Sequence, residues 1–134
     1  MRRIDHIGIA VEDLEAALKP YVEGLGLRVE HTEEVPTERV RVAMLPVGET
    51  NIELLQPTDP ESAIAKFIDK RGPGVHHIAL SVEDVSASIG SLKRAGVRLI
   101  DEQPRPGAGG TRVAFVHPKG LSGVLVELVE GGHH

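Results

Sequence analysis

The stretch Val75-His76-His77-Ile78-Ala79-Leu80-Ser81-Val82-Glu83-Asp84 is a second writing of Ile4-Asp5-His6-Ile7-Gly8-Ile9-Ala10-Val11-Glu12-Asp13, with His77 standing 71 positions after His6. The copy runs on. Gly26-Leu27-Arg28-Val29 returns as Gly96-Val97-Arg98-Leu99, Arg41-Val42-Ala43-Met44-Leu45 as Arg112-Val113-Ala114-Phe115-Val116, and Ile52-Glu53-Leu54-Leu55 as Val126-Glu127-Leu128-Val129. A period this long exceeds any solenoid unit. The chain is a duplicated half-domain.

Each half reads βαβββ. Residues 4 to 11 alternate, with Ile7, Ile9 and Val11 on one face and His6, Gly8 and Ala10 on the other, as a strand requires. A helix follows over about 13 to 24, started by Asp13 and carrying Leu14, Ala17, Leu18 and Tyr21 at helical spacing. Pro20 predicts a kink or break, because a proline inside a helix removes a hydrogen bond and costs about 3 kcal/mol. Strands are expected at 27–32, 40–45 and 51–55. Ile64, Phe67 and Ile68 predict a short helix in the connection, 57–74, and the second half repeats with a strand at 75–82, a helix at 84–95, and strands at 97–101, 111–117 and 123–130. The expectation is a single α+β domain over 1–134: a first module at about 4–56, a linker with a short helix, and a second module at 75–130. Together these form an open, cup-like sheet.

Bulk properties exclude several functions. A net charge of −5 with 2% aromatic residues argues against nucleic acid, which calls for a basic surface and stacking rings. No apolar run approaches a membrane span and Met1-Arg2-Arg3 leads directly into a strand, so a cytoplasmic protein is expected. With no cysteine there is no disulfide and no thiolate ligand, and any metal must be held by nitrogen and oxygen. The terminal Gly131-Gly132-His133-His134 has no counterpart in the first half and is left out of the site.

The chemistry concentrates on four residues. His6 shares its face with Gly8 and Ala10, and His77 with Ala79 and Ser81, where small side chains leave room for a ligand. Two cups facing one another would join His6, Glu53, His77 and Glu127, two imidazoles and two carboxylates, a set that suits a divalent ion. His76 has the opposite parity and reads as structural; His31 reads as surface. His117-Pro118-Lys119 lies in the longer hairpin of the second half, and Gly107-Ala108-Gly109-Gly110 reads as a hairpin loop.

These paired His-Ile strands, closing Glu strands and duplicated βαβββ modules resemble the vicinal oxygen chelate (glyoxalase/bleomycin resistance/dioxygenase) superfamily over essentially the whole chain. Within it, Asp5 to Val11, Pro46 to Leu55, Gly74 to Ala79, and His117-Pro118-Lys119 with Gly123 to Leu128 are similar to the methylmalonyl-CoA epimerase family. The resemblance implies epimerisation of (R)- and (S)-methylmalonyl-CoA by α-proton abstraction through a metal-stabilised enolate. It also implies one ion of cobalt, manganese, nickel or zinc on His6, Glu53, His77 and Glu127. Glu127 matches a ligand also assigned proton transfer, and Glu53 is taken as its catalytic partner, with Glu49 or a bound water as substitutes. At Val42 some members of the family have a glutamate. Lys119, Arg112 and Arg105 are candidates for the phosphates of an acyl-CoA thioester, and a homodimer is expected. A glyoxalase-type isomerase and a metal-free binding module of the same fold are the alternative readings.

Overall fold

The computed structural model describes residues 2–131; the terminal His133 and His134 lie outside them. The described residues divide into two compact units, one of residues 6–76 and one of residues 2–5 and 77–131. The connecting helix therefore belongs with the first module, and residues 2–5 with the second.

In the first unit, β1 (Arg3–Ala10), which enters it at His6, leads to α1 (Leu14–Lys19), then β2 (His31–Val35), β3 (Val40–Val47), β4 (Thr50–Pro57) and α2 (Ala63–Arg71). The strands lie in the order β2-β3-β4-β1, with β1 parallel to β4 and the other pairs antiparallel. Val11, Leu14, Ala43, Leu45 and Leu54 form the core beneath α1, joined by Ile9, Leu18 and Tyr21. The bulky face of β1 thus packs on the helix, as its alternation predicts. Pro20 acts as expected: the α-helix stops at Lys19 and a π-helical turn, Pro20–Gly24, continues it.

The second unit repeats the plan. β5 (Gly74–Val82), which enters this unit at His77, α3 (Val85–Arg94), β6 (Arg105–Pro106), β7 (Arg112–Val116) and β8 (Val126–Glu130) follow in order, and the strands lie β5-β8-β7-β6. Val82, Val85, Ile89, Ala114, Val116, Val126 and Leu128 form the core under α3. Both halves are βαβββ and the class is α+β, as expected.

The duplication extends to small devices. Gln56 Oε1 accepts the Leu14 N–H at 2.7 Å, and Glu130 Oε1 accepts the Val85 N–H at 2.9 Å, so the end of each closing strand caps a helix. Asp13 and Asp84 cap the same helices through Ala16 and Ala87. Removing such a cap costs about 1 kcal/mol. Asp84→Ala is expected to lower stability by that amount, read as a shift of the urea midpoint with unchanged slope.

One expectation fails in both halves. The strands placed at 27–32 and 97–101 lie further along: β2 begins at His31, and Leu99 contributes a single bridge to Val116. Leu27, Val97 and Leu99 instead pack against the helix-side cores. Gly26 and Gly96, at φ of 74° and 76°, turn the chain back for that purpose, a conformation favouring glycine. Asp101 then takes the Phe115 N–H at 2.8 Å with its side chain, where a ladder carbonyl would sit.

Candidate metal centre

Within the first unit, Gly8 of β1 lies opposite Glu53 of β4, and Ile9 opposite Leu54. Since Leu54 and Ile9 belong to the helix-side core, Glu53 and His6 stand on the other face. Gly8 has no side chain, and the space opposite it is left to the carboxylate. His6 Nε2 lies 3.5 Å from Glu53 Oε1, with both side chains more than nine-tenths buried.

The second unit builds the same pair with different neighbours. Ala79 of β5 is opposite Glu127 of β8, and His77 Nε2 lies 3.2 Å from Glu127 Oε1. Phe115 faces Glu127 from β7. Its ring meets His77 edge-on at 5.8 Å between centroids, which fixes the tilt of the imidazole. Arg105 lies over Phe115 at 5.2 Å, with its Nε 3.3 Å from Asp101 Oδ2. A cation therefore shares the face of Glu127.

The spacing of each pair is informative. Ligand atoms about 2.1 Å from a divalent ion and about 90° apart are roughly 3 Å from one another. Both His–Glu pairs are close to that separation, largely withdrawn from solvent, and of the nitrogen and oxygen type that such ions accept. The residues fit a divalent metal.

The other candidates separate clearly. Arg112 does not reach the Glu127 face: its guanidinium holds both oxygens of Glu130 at 3.0 Å and lies 3.2 Å from Ser86 Oγ, on the side of α3. Its counterpart in the repeat, Arg41, is bound to Glu15 of α1 at 3.0 Å; that hydrogen bond first, then a backbone hydrogen bond to the carboxylate and the Arg41 charge, hold the Glu15 carboxyl below its usual range. Both arginines tie a strand to its helix. Lys119 is exposed in a 3₁₀ turn, Pro118–Gly120, whose first N–H donors include the Lys119 amide, accepted by His117 Nδ1 at 3.1 Å. Desolvation, reinforced by Arg98 and Lys119, holds the His117 imidazole below its ordinary pKa, in the neutral form that can accept this bond.

His76 packs edge-on against Phe67 of α2 at 5.0 Å, the structural role its parity predicts. Glu33 falls just beyond the strand expected at 27–32. It lies on β2, 2.7 Å from the exposed His31. The alternation of His31, Glu33 and Val35 was the available signal.

The comparisons with known proteins accord with this geometry. The family model of the glyoxalase/bleomycin resistance protein/dioxygenase superfamily matches residues 5–115. The chain is 43% identical to the ethylmalonyl-CoA/methylmalonyl-CoA epimerase of Cereibacter sphaeroides over 94% of its own length and 96% of that protein. It is 40% identical to the human mitochondrial methylmalonyl-CoA epimerase, over 94% of its length and 72% of that protein. A variant of Streptomyces coelicolor methylmalonyl-CoA epimerase, solved in complex with 2-nitronate-propionyl-CoA, superimposes with a TM-score of 0.94 at 43% identity, covering 98% of this chain and 96% of that one. With the matched model spanning most of its length and two buried His–Glu pairs on its duplicated strands, the chain belongs to the glyoxalase/bleomycin resistance protein/dioxygenase superfamily, in its methylmalonyl-CoA epimerase family.

Proposed function

We propose that this protein interconverts the two configurations of methylmalonyl-CoA, with His6, Glu53, His77 and Glu127 holding one divalent ion of cobalt, manganese, nickel or zinc. The observation that carries the reading is the buried His–Glu pair written twice at ligand spacing, in a chain so similar to methylmalonyl-CoA epimerases. Two histidines and a carboxylate, His6, His77 and Glu127, are a sufficient set for such an ion, and Glu53 adds a fourth ligand.

The reacting carbon lies between a thioester and a carboxylate. A divalent ion supplies Lewis acidity to those oxygens, worth several kcal/mol as negative charge develops. Glu127 takes the α-proton on one face, for which its carboxylate must come within roughly 3 Å of the carbon-bound hydrogen's path. The C–H electron pair passes into the planar enolate, and a proton delivered to the opposite face completes inversion. Arg105, on the Glu127 face, receives an anionic group of the substrate, and Lys119, exposed in its turn, contacts phosphate in this reading. The small residues Gly8 and Ala79 keep the faces open. No helix among the described residues is long and apolar enough to cross a membrane; a cytoplasmic homodimer completes the proposal.

The test uses one pure epimer in deuterium oxide with metal-stripped and reloaded protein. Deuterium is expected to enter the α-position together with inversion, and only after reloading. Absence of exchange with all four ions would overturn the reading. Retention of an intact compound without any metal uptake, by elemental analysis, would point to a binding module instead.

A further inference from the structure

Inversion at a planar carbon requires a proton carrier on each side, and in the reading above Glu127 serves one of them. In that reading Glu53, 3.5 Å from His6, serves the ion alone, which leaves the second face to a group outside the ligand set. We infer that Glu33, oriented by His31, moves the proton on the second face; this rests on the epimerase reading.

Register decides which groups are available. Met44 of β3 lies between Glu53 of β4 and His31 of β2, and Val42 lies between Leu55 and Glu33. All of these share one face, since the alternate residues Ala43, Leu45 and Leu54 are in the core beneath α1. On the described residues of these four strands, the only titratable groups on that face besides His6 and Glu53 are His31 and Glu33. Two strand spacings, about 10 Å in all, separate the backbones of Glu53 and His31. Only Met44 and Val42 stand between the two pairs, and neither offers a hydrogen bond. A small acid held at the His6–Glu53 end therefore has one acidic neighbour across an apolar floor. Val42, where the epimerase resemblance has a glutamate in some members, is directly beside it.

The environment of Glu33 suits a proton carrier. Its Oε1 is 2.7 Å from His31 Nε2, and the two side chains are 28% and 54% exposed. One oxygen is thus oriented by the imidazole while the group keeps contact with water, through which its proton is renewed between turnovers. The repeat supplies an independent argument. In the second half the position equivalent to Glu33, opposite Val113, is Arg105. The two copies have diverged to opposite charges at one register site: a cation that draws in the anionic substrate, and an anion that accepts or returns a proton.

Glu33→Gln and His31→Gln separate this from a structural role. With each pure epimer in deuterium oxide, E33Q is expected to keep its metal content and to go on exchanging the epimer whose hydrogen faces Glu127, with retention. Inversion should fall by about 10²- to 10³-fold. H31Q should lower kcat for inversion by about tenfold with KM little changed, the mark of a positioning residue. Inversion at the unaltered rate in E33Q, or equal loss of exchange in both epimers, would overturn the assignment. A wild-type chain that neither exchanges nor inverts defeats the epimerase reading itself, and this assignment with it.

Discussion

His77→Ala should empty the metal site and lower epimerisation by about three orders of magnitude or more. Replacing a group that merely supports a ligand costs 10- to 100-fold in affinity or activity, and losing the ligand itself costs more. The substitution also leaves Glu127 without the imidazole 3.2 Å away. Removing the imidazole from beside a largely buried carboxylate is costly, so the remaining ligand is expected to reorient. The measurements are metal content after dialysis and steady-state turnover. The neighbouring His76→Ala provides the contrast: its ring packs on Phe67, and removing it should leave metal content and kcat unchanged. Full metal retention in His77→Ala would remove His77 from the ligand set.

That contrast between adjacent histidines shows what could be read in advance. Strand alternation alone assigned His77 to the small-residue face and His76 to the packed one, because a period of two leaves no third choice. The duplication did the same for Glu53 and Glu127, which lie opposite Gly8 and Ala79 in matching registers. The second strand of each half escaped, since Leu27, Val97 and Leu99 look like strand residues although their apolar surface is spent on the helix-side cores. Hydrophobicity reports burial, and two different geometries satisfy it. Glu33 was lost with that boundary. Arg112 alternates with Val113 and so shares the side of Ala114, beneath α3, a parity that its charge alone does not report.

Leu54→Ala should be the most destabilising single change in the first unit, lowering its stability by 2–5 kcal/mol on the usual scale for a buried leucine. Leu54 is wholly buried, paired with Ile9 on one side and Ala43 on the other, and covered by Leu14 of α1. Strand neighbours held by ladder hydrogen bonds cannot close in, so much of the vacated volume remains as cavity. For a chain of this length each kcal/mol lowers the midpoint by roughly 3–5 °C, giving a fall of about 10 °C or more. Leu54 also links stability to chemistry, for its neighbour Glu53 projects from the opposite face of the same strand. Because an ion binds the folded form alone, metal at a hundred times its dissociation constant should restore about 2.7 kcal/mol to Leu54→Ala. The same addition should do nothing for His77→Ala. Calorimetry of both variants with and without metal reads the two effects separately, and recovery of both would mean that the ion binds elsewhere than at the proposed ligands.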